Sequence, residues 1–552
     1  MSNHEQGAPG NFLVGLGVDG GVPFGQSNAV SAPGHDAKGG GAHLLGSVAA
    51  LPRRLSDKEN QGWGSMEAEG LGETAGPPAA VCSAEGGPPR IELPAPPAPA
   101  AADTARDTPL IPFSRPLVTP RDALYAHDVL HHVGFGSNKY SNRAIQLLQD
   151  MHGGCQALLT QSCTTALELC GLLAALAPGD EVLMPSYTYV STANAFVLRG
   201  AVPVFVDVRP DTLNLDESKL ADALTSRTRA VCVVHYAGVA CEMDAVLKFA
   251  AAHGLLVIED AAHAVCARYK GRPLGTLGHM GALSFHHTKN LSCGEGGALL
   301  LPRGDQDATG SEGEGGALPA WLGATRGDLA ERARTCFHNG TDRALFLEKK
   351  VASYEWIDVG GSFWTSELTA ALCTAQLEER DAITRSRLVV WNALHAGSEG
   401  LEHEGLVRRP VVPEECAHNA HIFYLLARGE GCSTVLLNGL RARGVGASRH
   451  YTPLHSAPAG RRFGRIGGPD GTTLPVTEAV ASSIVRLPVW SGMEEITLAA
   501  ILQALKGAAA DLREYMHLGV SSSPVSRLSL SQEDFGSSSA SSIADAPEAR
   551  SE

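Results

Sequence analysis

Cysteine is present but never in a metal-binding or disulfide arrangement: its 12 residues lie at scattered spacings without a C-x-x-C pair. That excludes a zinc ribbon and gives no sign of a secreted disulfide framework, so reduced, buried thiols and no metal site are expected. Long apolar runs are missing too, the longest being pieces such as CGLLAALA at 170–177, well short of the ~18 residues a membrane-spanning helix requires. Basic charge is in deficit, with 44 Lys and Arg against 59 Asp and Glu and a net charge of −15. No broad cationic face is therefore available for sequence-independent nucleic-acid binding. HExxH, GxSxG and GxxxxGK(S/T) do not occur, which removes the usual anchors of zinc-protease, serine-hydrolase and P-loop chemistry. The amino terminus, MSNHEQGAPG, has no apolar h-region; a soluble, cytoplasmic protein is expected, with an organellar address left open.

Glycine is in excess, at 62 of 552 residues, and it is unevenly spread. Residues 1–108 hold only Phe12, Phe24 and Trp63 as aromatics and run through GGGAH, AEGGPP and PAPPAPAAAD. Such a segment cannot bury enough apolar surface to offset chain entropy, and a disordered arm is expected. A Ser-rich tail over 518–552 reads the same way, and the Gly- and acid-rich stretch 303–327 reads as a surface-loop insertion. The fingerprint-like Gly15-Leu16-Gly17-Val18-Asp19-Gly20 is followed by GVPFGQSNAVSAPG rather than a helix, so a dinucleotide site is not expected there.

Between these arms the pattern alternates. Strands are expected at 157–160, 181–184, 203–206, 229–235 and 255–259, and helices at 164–177, 191–199, 217–225 and 243–253. Repeated βα units imply an α/β fold with a mostly parallel sheet covered on both faces. Helical periodicity over 365–396 leads to a strand at 422–427 and a helix at 433–443. The expected division is a large domain over 109–395 and a smaller α+β domain over 396–517. In open α/β sheets ligands sit beyond the carboxyl ends of the strands, so chemistry should be sought just after each strand.

Three features fall there. Asp260 ends the buried run LLVIED; Lys289 follows 29 residues later in SFHHTKN, ahead of GEGG at 294–297; and Ser162-Cys163-Thr164-Thr165 opens the helix expected at 164. A helix start offers free N–H groups and a favourable dipole to a phosphate. An amine that condenses with an aldehyde, a carboxylate that keeps a pyridine nitrogen protonated and a phosphate-binding helix start are together the requirements of pyridoxal 5′-phosphate. Singly, each has a plainer reading as a surface cation, a helix cap or a turn.

With LTQSCTTALEL (159–169), PSYTYVSTANAFVLRGAVPVFVDVRPDTLNLD (185–216), HYAGVACEMD (235–244), VIEDAAHAV (257–265), GALSFHHTKNLSCGEGGAL (281–299) and HYTPLH (450–455), the chain from 111 to about 517 resembles the pyridoxal-phosphate sugar aminotransferases of the DegT/DnrJ/StrS type. The likeness is greatest to the branch that makes dTDP-4-amino-4,6-dideoxygalactose from a 4-keto-6-deoxy sugar nucleotide and L-glutamate. It implies the aspartate-aminotransferase fold, a homodimer with the active site at the interface, Lys289 as Schiff-base residue and Asp260 as partner of the pyridinium nitrogen. It also implies His263 beside the cofactor, Tyr189 stacked on its ring, and Thr164, Ser284 and the Cys163 backbone at its phosphate. Many relatives supply an Asn from the neighbouring subunit to the phosphate; here Ser362 or Trp364 stands in that region. His450, Tyr451 and His455 are substrate-side candidates. A related dehydratase branch has His in place of the Schiff-base Lys, and a catalytically silent scaffold of the same fold is the other alternative; retention of Lys289 and Asp260 favours transamination.

Overall fold

The computed structural model describes residues 111–303 and 317–518. The expected arm and tail, and the middle of the expected insertion, lie outside the described residues. The insertion's described end carries a 3-10 turn, Ala320–Leu322, and then the helix Arg326–Phe337.

Seven strands carry the main sheet: β1 (Gln156–Thr160), β2 (Glu181–Pro185), β3 (Val202–Val206), β4 (Thr228–Val234), β5 (Leu256–Asp260), β6 (Met280–Ser284) and β7 (Gly297–Leu301). Their spatial order is β1-β7-β6-β5-β4-β2-β3, with a short eighth strand, Arg465–Ile466, beside β3. All neighbours run parallel except β7, which is antiparallel to both β1 and β6. β5 and β6 are buried at every residue, as expected of strands covered on both faces. Helices Lys139–Met151 and Cys163–Leu173 help cover them. The first turns Tyr140, Ala144, Leu147 and Leu148 inward, the i, i+4, i+7, i+8 spacing of one helical stripe.

Helix ends follow local chemistry in one case and a tertiary contact in another. Cys163–Leu173 ends well short of 177, because Ala175 takes φ 49° and Pro178 follows, and the residue before a proline is pushed out of helical backbone. The expected helix at 217–225 is only a 3-10 turn, Glu217–Lys219, and one α turn, Leu220–Ala223. It stops because Thr225 Oγ1 donates to the buried Glu181 of β2 at 2.6 Å. The long periodicity over 365–396 is two helices, Glu367–Glu378 and Arg380–Gly397.

A second, antiparallel sheet has Phe423–Ala427 at its centre, flanked by Val407–Arg408 and Ile484–Leu487. The helices Cys432–Ala442 and Glu495–His517 pack together beside it, sharing an apolar cluster that includes Leu436, Leu440, Leu505 and Leu512. No helix among the described residues is long and apolar enough to cross a membrane.

Candidate active site

The carboxyl ends of β4, β5 and β6 open on a cleft of about 750 Å³. Asp260 is the last residue of β5 and is buried. Thr192 Oγ1 donates to its Oδ2 at 2.7 Å and the Ala262 N–H to its Oδ1 at 3.1 Å. Burial pushes this carboxyl above its usual range, against the pull of those two donors and of Lys289. Lys289 sits in a turn, its N–H donating to His286 O at 2.8 Å, in the loop after β6. Burial holds its ammonium below the usual lysine value, opposed by Cys163 and Asp260.

On the next side, Ser162 caps helix Cys163–Leu173. Its Oγ accepts from the Thr165 N–H at 3.2 Å, and its own N–H donates to Thr165 Oγ1 at 3.1 Å. The N–H groups of Cys163 and Thr164 fall in the first turn, where no intrahelical acceptor exists. Thr164 Oγ1 and Ser191 Oγ are 2.7 Å apart and both line the cleft, as does Ser284. The GEGG run is more than a turn here. A Cβ at Gly297 would lie 2.3 Å from Ser162 C and 2.4 Å from Cys163 N, so only glycine lets β7 press against the start of that helix. Burial raises the Cys163 thiol well above its usual value, which leaves the neutral, non-nucleophilic form at neutral pH.

Residues beyond 380 line the cleft as well and meet His263 and Tyr189 there. His263 Nδ1 accepts from the Ala237 N–H at 3.3 Å, so its proton sits on Nε2, which donates to Tyr451 Oη at 3.2 Å. Burial, then Lys289, His421 and His450, hold the ring well below its ordinary pKa. Tyr451 lies nearly parallel to the His263 ring, and Tyr189, 57% exposed, sits 6.3 Å from Tyr451 at the mouth. That exposure excludes a plain core role for Tyr189. His450 Nδ1 is 2.6 Å from Tyr236 Oη.

Lys289, Asp260, His263, Tyr189, Cys163, Thr164, Ser284, His450 and Tyr451 thus line one cleft. Two expected residues do not. His455 is buried between Ser186 Oγ (2.7 Å) and Glu478 Oε1 (3.2 Å); it ties the HYTPLH loop to the end of β2 instead of facing substrate. Ser362 lies outside this chain's cleft, its carbonyl accepting from Gln161 Nε2 at 3.1 Å. Arg387, Arg486 and His421 line the cleft without having been singled out from sequence. Arg387 donates to Ala420 O and His421 O, and Arg486 donates to Arg449 O and Ser448 Oγ and lies 4.7 Å over the Phe113 ring. Neither guanidinium has a carboxylate partner among the described residues. Arginines in a helix and in a strand carry no signal of this in sequence; the fold alone brings them together.

The profile of the DegT/DnrJ/EryC1/StrS aminotransferases matches residues 121–506, more than half of the chain. The chain belongs to this family. An uncharacterized protein from Methanocaldococcus jannaschii is 30% identical over 377 residues, covering 67% of this chain and 89% of its own. The aminotransferase TlmJ from Streptoalloteichus hindustanus is similar in structure, with TM-score 0.62, 26% identity, and coverage of 73% of this chain and 99% of its own. Helicobacter pylori PseC, an aminotransferase involved in pseudoaminic acid biosynthesis, matches with TM-score 0.62, 22% identity, and coverage of 72% and 98%. The family member is a pyridoxal-phosphate-dependent aminotransferase of the type I α/β fold. The cleft fits that cofactor: a buried carboxylate facing into it, an amine whose pKa burial lowers, and hydroxyls and free N–H groups around a helix start against which Gly297 packs.

Proposed function

We propose that this chain transfers the amino group of L-glutamate to the keto carbon of a 4-keto-6-deoxy sugar nucleotide. The substrate read from the sequence is dTDP-4-dehydro-6-deoxy-D-glucose, and the products are dTDP-4-amino-4,6-dideoxy-D-galactose and 2-oxoglutarate. The observation that carries the reading is the meeting of Lys289 and Asp260 in one cleft that Arg387 and Arg486 also line, neither with a carboxylate partner among the described residues.

Bound pyridoxal 5′-phosphate supplies an electron sink and carries the amino group between the two half-reactions. Asp260 would hold its ring nitrogen, Lys289 its aldehyde carbon, and Thr164, Ser284 and the Cys163 N–H its phosphate, with Tyr189 and His263 on its faces. Lys289 does the proton transfer: burial lowers its pKa and so favours the uncharged form, whose Nζ takes the proton from the donor's α-carbon and returns one to the product side. Asp260, with both its oxygens fixed by Thr192 and Ala262, would be favoured in its anionic form by a cationic ring nitrogen, against the effect of burial. Arg486 and Arg387 orient the donor's carboxylates, for which a planar fork of N–H groups is suited. His450, relayed to Tyr236, faces the sugar side. We further propose a homodimer in which 354–365, with Trp356 79% exposed, reaches the neighbouring cleft; Ser362, outside its own cleft, would then serve the partner's.

The test supplies ¹⁵N-glutamate and a panel of 4-keto sugar nucleotides and measures products by mass spectrometry. A ¹⁵N-labelled 4-amino-4,6-dideoxy sugar nucleotide is expected. A deoxy sugar without nitrogen would replace transamination by dehydration, and a colourless protein that takes up no cofactor would support a silent scaffold.

A further inference from the structure

Beside Lys289, the structure holds an arrangement that the aminotransferase reaction does not use. His286, His287 and Glu295 bring one ligand atom each within 4.8 Å of one another, the only such group of three among the described residues. The backbone explains why. The Phe285 N–H donates to Gly296 O at 2.8 Å and the Cys293 N–H to Phe285 O at 2.9 Å. These bonds pinch the loop shut at its base, so His286 and Glu295 face each other just above the pinch. His286 Nε2 is 3.4 Å from Glu295 Oε1, while its Nδ1 is 2.8 Å from Thr288 Oγ1. The Thr288 N–H also reaches this Nδ1 at 3.3 Å, so Thr288 holds the ring with Nε2 turned toward Glu295; a metal at Nε2 would take the other tautomer, in which Nδ1–H donates to Thr288 Oγ1. The His287 ring lies tilted at 45° to that of His286, 3.9 Å between centroids, and is exposed, as is Glu295, so water has access to the remaining coordination positions.

We propose that His286, His287 and Glu295 form a divalent transition-metal site at the mouth of the cleft, and that filling it slows turnover. Two imidazoles and one carboxylate with an open side suit Zn²⁺ or Co²⁺ and do not suit the all-oxygen preferences of Mg²⁺ and Ca²⁺. Residues 286 and 295 bracket the loop that carries Lys289, so a metal joining them ties that loop across its opening. The ligand set stands independently of the proposed sugar substrate; only the effect on turnover rests on the role given to Lys289.

The experiment uses the full-length, cofactor-loaded protein, stripped of metal with a chelator that is then dialysed away. Titration with Co²⁺ is expected to give one saturable equivalent per chain with visible ligand-field absorption. His287→Ala should weaken this by at least about tenfold, the size of effect seen when even an outer partner of a metal ligand is lost. His287 does not line the cleft, so His287→Ala should retain metal-free activity while escaping the inhibition that Zn²⁺ imposes on the wild type. Equal Co²⁺ affinity in wild type, His287→Ala and Glu295→Gln would overturn the site. Zn²⁺ inhibition undiminished in His287→Ala would overturn its link to turnover. The Co²⁺ arm needs no sugar substrate, so its outcome is separable from failure of the proposed reaction.

Discussion

Asp260→Asn is the most informative single change. The amide oxygen can keep the Ala262 N–H, and Thr192 Oγ1 can turn its own proton to Thr188 and accept from the amide NH2, so the fold and the bound cofactor should persist, while a neutral amide no longer supports a cationic ring nitrogen. Turnover should fall by orders of magnitude with an unchanged melting temperature; near-normal activity would reduce Asp260 to a helix cap. Lys289→Ala should lose roughly 10²–10⁴-fold through the proton transfer alone. Borohydride should fix a pyridoxyl group to the Lys289 peptide in the wild type and to no other lysine. Because burial lowers the Lys289 pKa and only its uncharged form accepts a proton, turnover should rise with pH along a limb centred below the ordinary 10.5. A limb at the ordinary value would show that the cleft does not desolvate it. At this scale the sequence was legible where chemistry demands a residue type after a strand, as for Lys289, Asp260 and Thr164. Arg387, Arg486 and His421 were silent, since a cation in a helix and another in a strand look alike whether they face water or a cleft. His455 misled for the converse reason: a His-rich loop reads as functional, and only the contacts to Ser186 and Glu478 reveal a tether.

Among elements, the seam between β7 and helix Cys163–Leu173 is the most demanding. Gly297→Ala places a methyl group 2.3 Å from Ser162 C, against backbone that cannot swing aside. The expected result is a lowered melting temperature together with weakened cofactor retention, since the same helix start serves both; an unaffected variant would mean that the seam has slack. The other junction is Glu181 on β2. Burial raises its pKa, but hydrogen bonds from Arg465, Thr225 and Arg227 outweigh this and bring it down to about 2. The folded value lies below the ordinary 4.5, so this cluster stabilises the protein above that pH and its contribution fades as pH falls toward 2. Glu181→Gln should lower stability in denaturant unfolding at neutral pH, by less than the loss of a fully buried pair because Arg227 is 62% exposed and can return to water, and flatten the acid limb of the stability curve. The βα alternation through β5 was readable from apolar periodicity. β6 (MGALS) and β7 (GALLL) were not, because short, fully buried runs of Ala and Leu without β-branched residues do not distinguish a strand from a buried helix segment, and the shortened helix at 217 reflects a tertiary demand on Thr225 that no local pattern contains.

For the whole molecule, we propose lobes at 109–395 and 396–517, with the terminal segments dispensable. Deleting residues 1–104 and 520–552 should preserve melting temperature and transamination, because these segments lack the apolar content to join a core; loss of cofactor or aggregation would show that they contribute. If 354–365 completes a neighbouring site, Lys289→Ala refolded together with a Ser362/Trp364 double variant should recover part of the activity that each lacks alone. The layout of the main sheet also bears on how the chain is made. β1 is the first of its strands to be synthesised, yet its sole partner in that sheet is β7, with Gln156 opposite Leu301. On a ribosome, β1 therefore waits with an open edge until more than a hundred further residues have emerged, and long-range pairing of this kind is slow. Nascent chains stalled before residue 297 should be bound by chaperones and sensitive to protease between 156 and 160, and chains released beyond 301 should lose both properties together.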